Sequence, residues 1–243
     1  MEVARGVHRL TNGVSNFYIV EDRAKLLLVD AGGSADWDLF AKAVAALKHT
    51  PAELEAVLLT HAHSDHTGFA EQARLDTDAV VWIHTDDAAV AKGAPPGKNE
   101  RGFGGYLLRA ELWRTVFRLR RSGGMKIVPI REVSTFRDEQ VIDAPGRPRA
   151  VHVPGHTPGM AALLLEGRRL LLTGDSLVMK NPLTGRRGPQ IMPRALNRDS
   201  REALQSLAKL EDLPADVILP GHGEPWTQGV ARAVQLARDA GPS

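Results

Sequence analysis

The chain has 243 residues, 43% hydrophobic and 25% charged, a composition that can bury a globular core without covalent staples. It contains no cysteine, which excludes a disulfide framework, a zinc ribbon, an iron–sulfur site and a thiol nucleophile. The formal charge is only +2, and no apolar run reaches the length needed to span a bilayer.

Phe17–Val20 and Lys25–Asp30 read as two strands joined at Glu21-Asp22-Arg23. From Asp36 to His49 the apolar residues Leu39, Phe40, Ala43, Val44 and Leu47 recur at helical spacing, and Pro51 ends the run. Ala56–Thr60 is a strand of the kind buried on both faces of a sheet. Gly68–Arg74 is helix-like, and Val80–His84 is a further strand. After the loop signal at Ala94–Gly97, Phe103, Tyr106, Leu107, Ala110, Trp113, Val116 and Phe117 form the stripe of an amphipathic helix that ends at Ser122-Gly123-Gly124. That stripe is expected to pack on the domain; the other readings are a lid or a homodimer contact. Nine basic residues lie between Lys98 and Arg131 against Glu100 and Glu111, read as a solvated face.

Strands are expected at Lys126–Ile130, Gln140–Ile142, Ala150–Val153, Ala161–Leu165 and Arg169–Thr173. An exposed loop follows at Asn181–Arg194, then a helix from Arg201 to Leu210, a strand Asp216–Leu219 and a last helix Val230–Arg238. Strands followed by helices in both halves imply an α/β protein of layered sheets with helices outside. The expectation is one domain over residues 1–243 with a helical insertion at about 94–124. The opening residues lack the apolar core of a secretory signal, so a cytoplasmic location is expected.

The chemistry concentrates in His61-Ala62-His63-Ser64-Asp65-His66, directly after a buried strand. Residues two apart in extended chain point the same way, so His61 and His63 can grip one ion together. The chain then turns, and Asp65 with His66 can face a second ion. Four such side chains in six positions would repel and stay poorly solvated unless a cation joined them. Three further polar residues sit at strand ends among glycines: His156 in Pro154-Gly155-His156-Thr157-Pro158-Gly159, Asp175 after Thr173-Gly174, and His222 in Pro220-Gly221-His222-Gly223. Seven ligands suit two metals with solvent positions left open. His84 and His152 are expected not to be ligands, and His8 and His49 to be surface residues; Ser64 and Ser176 lack a free base.

The order HxHxDH, PGHTPG, GD, GH, spread over residues 61 to 222, resembles the metallo-β-lactamase superfamily. The resemblance implies a four-layer αββα sandwich with the site at one edge of the sheets. It implies that His61, His63 and His156 hold one divalent ion, that Asp65, His66 and His222 hold the other, and that Asp175 bridges them. Asp30, ending an early strand, is expected to orient a ligand histidine from behind. Zinc suits these donors best; manganese or iron(II) fit the same cage.

Asp65 is expected to act catalytically, orienting the attacking water and passing its proton to the leaving group. The absence of cysteine and the presence of Asp175 argue against a β-lactamase. The short tail after His222 argues against a glyoxalase II with its helical extension, and the missing tyrosine after Asp175 against an acyl-homoserine lactonase. A persulfide dioxygenase with one iron would need fewer ligands. The remaining reading is a hydrolase of a small ester, lactone or thioester, with arginines near the pocket suiting an anionic small-molecule substrate. A phosphodiesterase or nuclease is the alternative, and a nucleic-acid partner is not expected.

Overall fold

The computed structural model describes residues 1–243. Its first half builds a seven-stranded sheet. Strands β1 (Glu2–Ala4), β2 (Val7–Thr11), β3 (Asn16–Asp22) and β4 (Lys25–Val29) pair antiparallel in sequence order. Helix α1 (Trp37–Ala46) then crosses over, and β5 (Leu54–Leu58) joins β4 in parallel. After α2 (Ser64–Thr67) and α3 (Ala70–Thr77), β6 (Val80–His84) adds in parallel to β5. The short α4 (Ala88–Ala91) and α5 (Ala110–Ser122) precede β7 (Ser134–Phe136), which closes this sheet beside β6.

The second half makes a four-stranded sheet from β8 (Arg149–His152), β9 (Ala161–Leu165) and β10 (Leu170–Gly174). A two-stranded ribbon follows, β11 (Val178–Lys180) with β12 (Arg187–Gln190). Helices α6 (Ser200–Ser206) and α7 (Ala208–Glu211) lead to β13 (Val217–Pro220), parallel to β10, and α8 (Val230–Ala240) ends the chain.

Alternation along the strands explains the layers, because successive side chains point to opposite faces. Tyr18, Val20, Leu27, Val29 and Leu58 meet Leu163, Leu165, Leu170, Leu172 and Leu219 between the two sheets. The intervening Phe17, Ile19, Leu26, Leu28 and Val57 pack outward on Phe40, Val44, Phe69 and Ala73 of the first helical layer. Likewise Ala162, Leu164, Leu171 and Ile218 face Ala203, Leu207, Ala233 and Val234 of the other. The result is an αββα sandwich in which the central strands are apolar on both faces.

Several expectations are corrected. Lys126–Ile130 forms no strand, and Gln140–Ile142 makes only the isolated bridge Val141 to Arg149. The expected helix through residue 103 is broken into a 3-10 turn at Phe103–Tyr106 and α5, since Gly104-Gly105 weaken the first part. Its predicted stripe packs only in part: Tyr106 and Val116 rest on the domain, but Phe103, Leu107, Trp113 and Phe117 are exposed, and Leu112, Thr115 and Ser122 are buried instead. The contact face is chosen by the small cluster Leu112, Leu183 and Ala195, and by Thr115 Oγ1 donating to Pro182 O (2.6 Å). Asn181–Arg194 is not an exposed loop. It carries β12, and Leu183 and Pro189–Pro193 are buried under α5 and α8. His8 and His49 are not free surface residues, because both press on Glu21 at 2.5 and 3.2 Å.

Candidate metal centre

The C-terminal ends of β4, β5, β8, β10 and β13 come together at one edge of the sandwich. His61 and His63 lie just past β5, Asp65 and His66 on α2, His156 past β8, Asp175 past β10 and His222 past β13. All seven side chains predicted as ligands converge here, in the groups His61–His63–His156, His61–His66–Asp175 and Asp65–His66–His222. Five of the seven are nearly or wholly enclosed, His63 and Asp65 are partly exposed, and Asp65 keeps the most solvent access among the carboxylates.

Four of the five rings are oriented from behind. His66 Nδ1 faces Asp30 Oδ2 at 2.9 Å, His156 Nδ1 faces Asn197 Oδ1 at 3.0 Å, and His222 Nδ1 faces Val14 O at 2.8 Å. His61 Nδ1 faces Thr60 Oγ1 at 3.0 Å, while that hydroxyl donates to Asp30. Acceptors on the outer nitrogens put a proton there, so these four rings turn Nε2 inward. His63 presents Nδ1 instead, 3.1 Å from His61 Nε2 and 2.9 Å from His156 Nε2. Three imidazole nitrogens crowd one point.

Asp175 stands between the two groups. Its Oδ2 is 3.1 Å from His222 Nε2 and 3.4 Å from His156 Nε2, and its Oδ1 is 3.6 Å from His66 Nε2. Asp65 Oδ2 lies 3.7 and 3.8 Å from His66 and His222. Gly221 permits this approach, since a Cβ there would sit 2.2 Å from Asp175 Oδ1. Asp30 adopts the left-handed conformation (φ 59°), uncommon outside glycine, and that turn aims its carboxylate at both Thr60 and His66.

Electrostatics divides the cluster. Burial holds His61 well below its ordinary value and lowers His63, and burial with His63 pushes His156 down to about 3. Burial also opposes charge on His66, but Asp175, Asp65 and Asp30 outweigh it and push the ring up to about 10. Burial would raise Asp175, yet His222 and His66 hold it well below the usual carboxylate range. One side therefore offers neutral imidazoles, the other carboxylates and a proton that a cation would displace. Two buried atoms, His66 Nε2 and Asp175 Oδ1, have no hydrogen-bond partner. Unpartnered buried polar atoms are rare, and these two point at the shared space. A divalent cation fits that donor set.

Sequence reasoning missed Thr60 and Asn197. Asn197 is fully enclosed, and its amide nitrogen is committed to Met192 O, which turns Oδ1 toward His156. No local motif marks it. His84 and His152 lie apart, stacked at 4.1 Å with planes 10° from parallel. With Asp86 they are close enough to share an ion, but the group is partly exposed and shares no residue with the seven. Ser64 and Ser176 hydroxyls are taken by Gly124 O and Thr173 O. Tyr106 packs against the Leu112 cluster.

Comparison with known proteins agrees with this geometry. YflN of Bacillus subtilis (strain 168), a probable metallo-hydrolase, is 27% identical over 238 residues, 93% of this chain and 87% of its own. The hydroxyacylglutathione hydrolase GloC of Haemophilus influenzae (strain ATCC 51907 / DSM 11121 / KW20 / Rd) is 25% identical over 214 residues, 87% of this chain and 86% of its own. The solved structure of TTHA1623 in a di-iron-bound form aligns with a TM-score of 0.63 at 24% identity, covering 93% of this chain and 96% of that one. The pattern of the metallo-beta-lactamase superfamily runs through residues 10–222, from β2 to the last clustered histidine, and the chain belongs to that superfamily.

Proposed function

We propose that the chain is a hydrolase of a small thioester, working with two divalent ions, zinc being the best suited to its nitrogen and carboxylate donors. The observation that carries this reading is the unpartnered pair His66 Nε2 and Asp175 Oδ1 inside a closed set of seven donors. His61, His63 and His156 would hold one ion and Asp65, His66 and His222 the other, with Asp175 lying between the two groups. Bound there, the ions supply Lewis acidity and a water acidified toward neutral pH. Asp65, the most accessible of the carboxylates, would accept a proton from the attacking water and pass it to the departing sulfur.

Thioester is preferred to ester or lactone because a relative of similar length, GloC, is named for hydrolysing an acyl-glutathione. Two openings flank the cluster. A groove of about 370 Å³ beside Gly223 is lined by Lys180, Arg187 and Trp226. A narrower crevice holds His63, His156, Asn99 and Arg198. Lys180 is neutralised by Glu111 at 2.5 Å, while Arg198 and Arg187 have no carboxylate partner. The unpaired Arg198 guanidinium, in the crevice that holds His63 and His156, supports an anionic substrate.

The test is a panel of acyl-glutathione thioesters, lactones and bis-p-nitrophenyl phosphate, assayed on protein reloaded with zinc, manganese or iron(II). Turnover of the thioesters at least tenfold above the other classes is the expected result. Dominant phosphodiester cleavage would overturn the proposal.

A further inference from the structure

Asp87 lies outside the HxHxDH, PGHTPG, GD and GH motifs. It closes the 3-10 turn Thr85–Asp87 that follows β6, is 1% exposed, and has no arginine or lysine within ion-pair distance. A buried carboxylate without a cation is costly unless several donors reach it. Three do. Its Oδ2 accepts from the Ala62 backbone N–H (3.0 Å) and the Thr157 hydroxyl (2.7 Å), and its Oδ1 accepts from the Gly159 backbone N–H (2.8 Å).

The positions of these donors are informative. Ala62 is the residue between His61 and His63, and Thr157 directly follows His156. The first donor belongs to the loop after β5 in the seven-stranded sheet, the other two to the loop after β8 in the four-stranded sheet. Gly159 is shaped to the same contact, since a Cβ there would fall 2.7 Å from Asp87 Cβ. Asp65, His66 and His222 are tethered by other groups: Ser15 Oγ to Asp65 O, Asp30 to His66, and Val14 O to His222. Asp87 touches none of those links.

We infer that Asp87 is a positioning residue for the three-histidine half of the centre, clasping across the two sheets the loops that carry His61, His63 and His156, and so setting the affinity of that half alone. The inference rests on the assignment of these three histidines to one ion. Its negative charge also reaches the His63 ring and favours a dication beside it. Replacing the carboxylate by an amide keeps the volume but turns an NH2 group toward at least one of the backbone N–H donors, so one loop is released.

The experiment is a titration of metal-stripped Asp87→Asn with cadmium, followed by 113Cd NMR, which separates a three-imidazole site from a carboxylate–imidazole site by chemical shift. Wild-type protein must first show two resonances; a single one would sink the two-ion assignment itself rather than the role of Asp87. In the variant the three-imidazole resonance is expected to need about 10–100-fold more free cadmium, the range for losing an outer-shell partner, while the other is unchanged. Equal weakening of both sites, or none, overturns the inference. Thr157→Val removes one donor without burying a mismatched amide. It is expected to shift the same resonance in the same direction by a smaller factor, and it decides the matter if Asp87→Asn does not fold.

Discussion

Of the two carboxylates among the seven clustered side chains, Asp65 is the accessible one. Asp175 is enclosed and its two oxygens are spent between the two groups of histidines, whereas Asp65 keeps a solvent-facing edge. If Asp65 moves the proton, Asp65→Asn retains an oxygen donor and most of the bound metal but loses the base. The expected outcome is metal content near the wild-type value by elemental analysis, with kcat lower by about 10²–10⁴-fold. Unchanged turnover would remove Asp65 from the chemistry. At this scale the sequence was most informative where ligands lie close along the chain: His61, His63, Asp65 and His66 are legible because strand and turn geometry alone face them inward. His156, Asp175 and His222 needed the family order as well. Thr60, Asn197 and Asp87 were illegible, since a hydroxyl, an amide or a carboxylate becomes a support only once tertiary structure brings a ligand loop to it.

Elements follow a similar rule. The strands β3, β4, β5, β6, β9 and β10 show in the sequence as dense apolar runs because both of their faces are covered. The strands β1, β7 and β11 have three residues each, too few for a pattern to form. Helix α5 is the instructive error. Amphipathic spacing reveals that a helix has two faces, but the face that packs depends on the surface offered to it. Here that surface is the segment carrying Leu183 and Ala195, and Leu112 is the residue inserted into it. Leu112→Ala should cost about 2 kcal/mol, at the low end for a buried leucine because the cluster is small and can collapse. The loss is expected to be local. Hydrogen exchange should accelerate across residues 106–122, while metal content and the protection of β4 and β5 stay at wild-type values. Uniform loss of protection would mean that α5 is integral to the main core rather than a satellite of it.

For the whole molecule, the centre occupies the edge where the two sheets face each other. Asp30, His61, His63, Asp65 and His66 come from the first sheet and its helix α2, and His156, Asp175 and His222 from the second. No disulfide joins the halves, as the chain has no cysteine. Without a cation this edge holds converging imidazole nitrogens and two unpartnered buried atoms, so metal binding relieves a fault that lies between the layers. An ion that binds only the folded chain stabilises it by about 2.7 kcal/mol when free metal is 100-fold above Kd. For a chain of this length that corresponds to a rise in Tm of roughly 5–10 °C per ion. Calorimetry on protein stripped with a chelator and then reloaded should therefore show a lower Tm for the stripped form, recovered in two steps as metal is added. The apolar layer between the sheets, from Tyr18 to Leu219, does not depend on the ions. The stripped protein should accordingly remain folded at 25 °C with unchanged far-ultraviolet circular dichroism. Unfolding on chelation would mean that the metals act in architecture and not only in chemistry. A Tm indifferent to metal would mean that the seven side chains hold no ion in the folded state.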